Sequence, residues 1–362
     1  MLETQLSAEQ AIRLAIQEIA VGPDRGRDIS AELSQQVMQA ILSGEADEVQ
    51  AAVFLIAMRM KRESLAEFSG ILAALQGGIN VHTVSVPELV CMADPFDGFV
   101  RTQSMTPFIA PVLAACGVPC MQHGVERVGP KYGVTAHQVY HAAGINVFGN
   151  AEDAALQIQE HGWAYLDQSI YAPTLFKLQS LRGRIVKRTA LTTLERLLMP
   201  LRAQQRTHLV LGYVHKAFPE VYATMAMECG YESIVLIKGV EGGLAPALNK
   251  PMRRFIIDAE RVQAVDEHKE IIDVAPILTD NGVAGPPMAS SVDPVAQTLD
   301  TGLAVLGGQS GSARDSLCLA AGQILNSRDP ALSLSQAVEK VQVCLDNGSA
   351  KARFDSLIYG RK

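Results

Sequence analysis

The chain has 362 residues, of which 48% are hydrophobic and 19% are charged, and its formal net charge is −7. This length predicts about two domains, and the apolar content excludes an intrinsically disordered chain. The negative charge excludes polyanion binding over the whole surface, so a role on nucleic acid requires a local basic patch.

The N-terminal segment and the cysteines indicate a cytoplasmic protein. Residues 1–6 contain neither a basic cluster nor an apolar run, so we expect no signal peptide. No apolar stretch approaches about 18 residues, which predicts that no segment spans a membrane. The six cysteines form no Cys-x-x-Cys pair, which favours reduced, buried thiols over disulfides or a zinc site.

The beginning of the chain is typical of a small helical domain. Apolar residues recur at three-four spacing in four segments, residues 8–20, 29–42, 48–60 and 65–75. Asp47 is placed to cap the third helix, and Ser64 and Glu67 form a capping box for the fourth. Gly77 and Gly78 end that helix. We therefore expect residues 1–82 to form an all-helical domain.

After this domain the period changes, and short apolar runs alternate with helical stretches. Strands are predicted at residues 89–92, 118–121, 208–211 and 233–237, and closing helices at 294–306, 313–325 and 332–347. A loop rich in Gly and Pro covers residues 280–287. Residues 152–199 read as largely helical, and part of 165–200 is expected to pack onto the N-terminal helices. The alternation predicts an α/β domain over residues 83–362 with a mostly parallel central sheet.

The first loop with donors for an anion begins at Asp97-Gly98 and continues through Arg101 and Thr102. Ligands of open parallel sheets lie beyond the carboxyl ends of the strands, which is where this loop is placed. Thr106 can cap a helix that starts at Pro107, and the free N–H groups of such a start attract anions. In isolation, an ordinary capped helix start explains this segment better than an anion site does.

Two further loops follow predicted strands. His123-Gly124 leads to Arg127 and Lys131, and these side chains can hold a phosphate or a carboxylate. A single histidine is more often structural than catalytic, so only its position after a predicted strand makes His123 a candidate ligand-binding residue. Residues 238–243 lack the spacing of a P-loop or of a dinucleotide fingerprint, and neither is inferred.

The segment from residue 182 to residue 206 has a local charge of +6, because seven basic residues are opposed only by Glu195. A solvated helix face is the common explanation of such a run, and an anion or nucleic-acid surface is the alternative. Arg59, Lys61 and Arg62 can extend the surface if the two regions pack together. The basic residues are Arg182, Arg184, Lys187, Arg188, Arg196, Arg202 and Arg206.

Residues 43–50 and 54–61 resemble the opening helices of the anthranilate phosphoribosyltransferase family, glycosyltransferase family 3. Gln122-His123-Gly124 resembles the second substrate loop of that family, and Arg182 and Arg188 keep the spacing of its basic helix. The resemblance implies a nucleoside phosphorylase/phosphoribosyltransferase-type fold with a cleft between a helical and an α/β domain. It also implies a homodimer paired through the helical domain, and transfer of phosphoribosyl from phosphoribosyl pyrophosphate to anthranilate with magnesium.

The sequence departs from the family at its diphosphate and metal motifs. Residues 93–98 replace a Gly-Thr-Gly-Gly-Asp-Gly loop and keep only its final Asp97-Gly98. Pro95 and Phe96 are expected to obstruct close backbone approach to a diphosphate. The acidic pair that binds metal in the family is replaced near Leu244-Ala245. We therefore expect little or no anthranilate transfer, no resident metal, and magnesium only together with bound phosphoribosyl pyrophosphate.

Two hypotheses follow, because Asp97-Gly98-Phe-Val-Arg101-Thr102 and Pro130-Lys131-Tyr132-Gly133 resemble a divergent second branch of the family. The first is a transferase with an unidentified acceptor; the second, implied by that branch, is a dimeric nucleic-acid-binding protein without catalysis. No catalytic residue is assigned. The expected ligands of a small anion in the cleft are Asp97, Gly98, Arg101, Thr102, Thr106, His123, Gly124, Lys131, Arg182 and Arg188. The candidates for non-specific nucleic acid are Arg184, Lys187, Arg196, Arg202 and Arg206.

Overall fold

The computed structural model of the chain describes residues 6–22, 25–278 and 292–358. The predicted N-terminal helices are confirmed as α1 (Ala8–Ile19), α2 (Ala31–Ser43), α3 (Glu48–Lys61) and α4 (Leu65–Gln76). The Asp47 carboxylate caps α3 by accepting from the amides of Val49 and Gln50. Ser64 and Glu67 form the predicted capping box at α4.

The buried carboxylate of Glu67 on α4 links the backbone at Ile29, just before α2, to Lys61 at the end of α3. This group accepts from the Ile29 amide at 3.0 Å, and it pairs with Lys61 Nζ at 2.8 Å. The backbone carbonyl of Glu67 accepts from the hydroxyl of Ser34 on α2. Lys61 therefore serves the interior of the domain and does not extend the basic surface.

The described residues form a seven-stranded sheet in the order β4-β3-β2-β6-β7-β8-β9 and a two-stranded sheet of β1 and β5. The large sheet is parallel from β4 to β7, while β8 and β9 are antiparallel to their neighbours. This arrangement confirms the mostly parallel sheet. The strands are β1 (His82–Val84), β2 (Glu88–Ala93), β3 (Cys120–Gly124), β4 (Trp163–Asp167), β5 (Leu201–Ala203), β6 (Arg206–Tyr213), β7 (Ser233–Lys238), β8 (Met252–Asp258) and β9 (Lys269–Ile272).

The prediction of a largely helical segment at 152–199 is wrong at β4. All five residues of β4 are buried, so its sequence lacks the alternation that marks a half-exposed strand. β1, β5, β8 and β9 were not predicted either. The helices that follow β4 return to the helical domain, where α9 packs on α2, and α10 and α11 pack on α3. They are α8 (Gln168–Tyr171), α9 (Pro173–Phe176), α10 (Gln179–Ile185) and α11 (Ala190–Leu194).

The two faces of the sheet are covered by different helices. Alternate residues of the strands pack either against the helical domain or against the C-terminal helices, which gives two hydrophobic clusters. The predicted closing helices are confirmed as α13 to α15, and the loop at 280–287 lies outside the described residues. The remaining helices are α5 (Ile109–Ala115), α6 (Ala136–Ala142), α7 (Ala151–His161), α12 (Phe218–Glu228), α13 (Pro294–Leu306), α14 (Ser312–Arg328), α15 (Leu334–Asp346) and α16 (Ser349–Asp355).

Within the described ranges, no helix is long and apolar enough to cross a membrane.

Candidate anion-binding cleft

A cavity of about 420 Å³ lies between the helical domain and the carboxyl ends of β2, β6 and β7. This is the edge at which ligands of open parallel sheets bind. Cationic side chains from both domains line the cavity, and Asp97 and Glu241 are the acidic residues among the described lining. The cleft therefore carries a positive charge in a protein of negative net charge. The cations are Arg59 from α3, Arg101, Lys131, Arg188 and Arg196.

Asp97 positions two of these cations. Its buried carboxylate accepts from Arg188 Nη2 at 2.6 Å and Nε at 3.0 Å, and Lys131 Nζ lies 3.4 Å away. The Arg188 side chain remains 45% exposed, so part of the guanidinium still faces the cleft. Gly98 has φ +75° and packs against the backbone of Gly133, where any side chain would clash. Asp97 and Gly98 thus build the wall of the cleft.

Three consecutive backbone amides in the loop after Gly98 point at one carboxylate. Glu241 accepts from the amides of Val100, Arg101 and Thr102 at 3.3, 2.8 and 3.1 Å, and from Thr102 Oγ1 at 3.2 Å. Lys131 Nζ lies 3.6 Å from the same carboxylate. Successive N–H groups of this kind form an anion-binding nest. Sequence reasoning placed Arg101, Thr102 and Lys131 at an anion site but missed Glu241.

His123 does not reach this cleft. The imidazole is buried, its Nδ1 lies 2.9 Å from the hydroxyl of Tyr171, and the Phe96 ring packs edge-on to it at 5.7 Å. Burial, with a smaller effect of the Arg196 charge, lowers the pKa of His123 to about 3. The ring is therefore neutral and cannot clamp an anion by charge. His123 and Gly124 line a separate cavity of about 10 Å³, enough for about one water molecule.

Pro95 lines both cavities, and Phe96 lines the small one. Its side chain is 2% exposed and belongs to the core, while Pro95 lines the cleft. The obstruction expected at residues 95 and 96 stays a prediction.

Thr106 does not cap a helix, contrary to the prediction. It is the first residue of a 3₁₀ turn that leads into α5, and its buried hydroxyl lies 2.7 Å from that of Ser104. Nearby, the buried carboxylate of Asp94 makes no hydrogen bond of normal distance and angle to a described residue, although the Leu244 amide and the Thr106 hydroxyl lie close enough to favour its charged form. Burial raises the pKa of Asp94 to about 7. Asp94 directly follows β2, and nothing in the sequence indicates that the surrounding residues bury its carboxylate.

Two arginines of the basic segment face inward. Arg182 makes a buried, bidentate pair with Glu195 at 2.6 and 2.7 Å. Arg196 donates to the carbonyls of Ala93 and Gly212 at 3.0 Å and forms the floor of the cleft. The assignment of Arg196 to an outer nucleic-acid surface is therefore wrong, because 4% of its side chain is exposed.

The other basic residues of this segment lie on the surface in separate places. Arg184 pairs with Glu48 of α3, Arg206 pairs with Glu88, and Arg202 donates to the hydroxyl of Thr83. Lys187 is exposed. The seven residues thus do not share one face.

A second cationic group, which sequence reasoning missed, lies beside the cleft at the end of β7. The pKa of Lys238 is lowered by burial and by the charges of Arg253, Lys250 and Lys216. These residues come from three separate stretches of the chain, so they do not form a cluster of basic residues in the sequence. Lys238 donates to the carbonyl of Val214, which lines the cleft, so the group adjoins the cleft on this side.

The described residues contain no group of His, Cys, Asp or Glu side chains that could hold a metal ion. Leu244 and Ala245 stand buried where the resemblance places an acidic pair. The acids that do line the cleft, Asp97 and Glu241, are bound by Arg188 and by backbone amides respectively. In the part of the chain that the structure describes, therefore, no carboxylate cluster fits magnesium.

Comparisons with known proteins agree over most of the chain. Residues 100–351 match the protein-family model described as "Glycosyl transferase family, a/b domain". Residues 9–77 match the model described as "Glycosyl transferase family, helical bundle domain". An uncharacterized protein of Aquifex aeolicus is 28% identical over 228 residues, which is 63% of this chain and 68% of the relative. The anthranilate phosphoribosyltransferase of Verminephrobacter eiseniae is 25% identical over 358 residues, covering 98% of this chain and 97% of the relative.

Solved structures show the same fold at low identity. The anthranilate phosphoribosyltransferase of Thermus thermophilus superposes with a TM-score of 0.74 at 18% identity, over 96% of this chain and 98% of the other. The enzyme of Saccharomyces cerevisiae in complex with PRPP and Mg has a TM-score of 0.79 at 14% identity, over 97% of each chain. Both likenesses concern the arrangement of helices and strands.

Proposed function

The chain belongs to the glycosyl transferase family, whose helical-bundle and a/b domains it matches in order, and from this membership we propose that it binds a phosphate-bearing ligand in its cationic cleft. We propose further that this ligand is of the phosphoribosyl pyrophosphate type, that the protein acts in the cytoplasm, and that anthranilate is not its acceptor.

The observation that carries the proposal is the convergence of cations at the strand ends. Arg59 comes from the helical domain, Arg101 and Lys131 come from two sheet loops, and Arg188 comes from the chain between α10 and α11. A guanidinium binds a phosphate with two parallel hydrogen bonds, which favours a phosphorylated ligand over a neutral one. A relative from yeast was solved with PRPP and Mg.

The rejection of anthranilate rests on the cavity around His123. That cavity has a volume of about 10 Å³ and is lined by Phe96, whose ring packs against His123, so an aromatic acid does not fit there. The missing carboxylate pair at Leu244 and Ala245 removes the protein ligands for magnesium. Any magnesium would therefore arrive bound to the diphosphate.

The test is calorimetric titration of the purified chain with phosphoribosyl pyrophosphate, with and without magnesium, together with an assay of anthranilate fluorescence. We expect saturable binding and no loss of anthranilate. Absence of binding to phosphoribosyl pyrophosphate and to pyrophosphate would refute the ligand class. Turnover of anthranilate at the rate of a parallel sample of a family enzyme would refute the rejection of that acceptor.

We propose nucleic-acid binding as the second candidate function, because of the cationic group at Lys216, Lys238, Lys250 and Arg253. A polyanion larger than one phosphoribosyl group is needed to contact this group and the cleft together. Such binding should weaken steeply with salt, since affinity comes from counterion release. Fluorescence anisotropy of labelled single- and double-stranded DNA and RNA tests it: retained affinity in a Lys216→Ala, Lys250→Ala, Arg253→Ala variant would exclude this surface.

A further inference from the structure

The nest formed by the amides of residues 100–102 is already filled by part of the protein itself. Glu241 lies 140 residues away in sequence, and both of its oxygens accept hydrogen bonds from the nest. The Glu241 side chain is 8% exposed, and Lys131 Nζ lies 3.6 Å from its carboxylate. A carboxylate and a phosphate can bind to such a site in the same way, because each presents a negative oxygen that accepts hydrogen bonds from several N–H groups.

We propose that this nest is the binding site for a terminal phosphate of the ligand, and that Glu241 is an internal stand-in that the phosphate displaces. The inference rests on the proposed function, because it assigns one phosphate of that ligand to one place in the cleft. Arg101 and Lys131, at the nest, would then contact the phosphate directly. Glu241 thereby sets the affinity of the cleft and restricts it to ligands that can outcompete a carboxylate.

The displacement needs only a rotation of the Glu241 side chain. The loop that carries it is packed tightly, since a side chain at Gly212 or Gly239 would collide with the carbonyl of Gly243. Glu241 itself has φ +51°, a left-handed conformation that is costly for a residue with a side chain. A fixed backbone with one strained residue holds the carboxylate in the nest without requiring the loop to move when the carboxylate leaves.

A purely structural clamp is the competing explanation, and the two make opposite predictions. If Glu241 mainly ties the loop at 100–102 in place, its loss should disorder the nest and weaken anion binding. If Glu241 is a stand-in, its loss should leave the nest free and strengthen anion binding. The sign of the change therefore decides between them.

The experiment is titration of the full chain with pyrophosphate, without metal, in wild type, Glu241→Gln and Glu241→Ala. We expect both variants to bind about tenfold more tightly, since one charge-assisted interaction no longer has to be broken. Glu220→Gln is the matched control, an exposed acid on α12 near the cleft that does not touch the nest. Its affinity should stay within about twofold of wild type, because exposed charges are screened.

Amide hydrogen exchange supplies a second measurement. In the Glu241→Ala variant the amides of residues 100–102 should exchange faster than in wild type, and pyrophosphate should restore their protection. Unchanged or weaker binding in both variants, with wild type still binding, would overturn the stand-in role and leave the proposed function intact. No binding of pyrophosphate to any of the proteins would overturn both.

Discussion

Replacement of Asp94 by Asn should make the stability of the protein less sensitive to a rise in pH from about 4 to about 7. The Asp94 carboxyl is buried, and its pKa is raised from 3.8 to about 7 because burial disfavours the charged form. A carboxyl with a raised pKa in the folded state binds its proton more tightly there than in the unfolded chain. Its contribution to stability is therefore complete below pH 3.8 and is lost as pH rises through about 7.

The magnitude follows from the two pKa values. Each pKa unit corresponds to about 1.4 kcal/mol, so the change from 3.8 to about 7 corresponds to about 4 kcal/mol. In a chain of this size 1 kcal/mol moves the melting temperature by about 2 °C, which gives a relative change of about 8 °C. Asn keeps the shape of Asp and does not ionise, so the variant should not show this loss.

The assay is thermal unfolding of wild type and Asp94→Asn between pH 4 and pH 8, followed by circular dichroism. The melting temperature of wild type should fall relative to that of the variant across this range. Asp300→Asn, which changes an exposed carboxyl on α13, should follow wild type throughout. A constant difference between wild type and Asp94→Asn at every pH would show that the carboxyl does not titrate in this window and would refute the reasoning.

Three further predictions concern other parts of the molecule. Arg196→Met should destabilise the fold by about 3 kcal/mol, because it deprives buried carbonyls of their donor; urea unfolding measures this, with exposed Arg202→Met as a nearly neutral control. The protein should be a homodimer through α3, whose exposed valines line an apolar groove against α10. Light scattering should then find a monomer for Val53→Glu and a dimer for Val343→Glu, and a monomeric wild type would contradict the prediction. Arg59→Ala should weaken pyrophosphate binding about tenfold by calorimetry, and unchanged affinity would remove the helical domain from the site.

The sequence predicted those parts of the fold whose pattern is local. Helices α1 to α4 have one apolar face and conventional caps, so periodicity alone locates them. β4 was missed because a strand buried on both faces reads as a continuous apolar run. The antiparallel strands β8 and β9 were missed too; β9 has only four residues, Lys-Glu-Ile-Ile, in which polar and apolar side chains do not alternate.

The site was harder to predict because its contacts join distant parts of the chain. A count of charges over residues 182–206 does not show that Arg182 and Arg196 point inward. Arg182 does so because it pairs with Glu195, and Arg196 does so because it donates to carbonyls at strand ends. The approach of Glu241 to the amides at 100–102 leaves no trace in local sequence. His123 was placed correctly at a strand end, but its enclosure depends on Phe96 and Tyr171.

The small sheet of β1 and β5 constrains how the cleft can open. β1 follows the last helix of the helical domain, and β5 ends the segment that returns from it, so two of the connections between the domains run side by side. The third connection, from β4 into α8, lies at another place on the sheet. A body attached at two separated points keeps a single free rotation, about the line that joins them. If the cleft opens, we expect a rotation about this line, which would move Arg59 of α3 relative to the cations of the sheet loops along one arc.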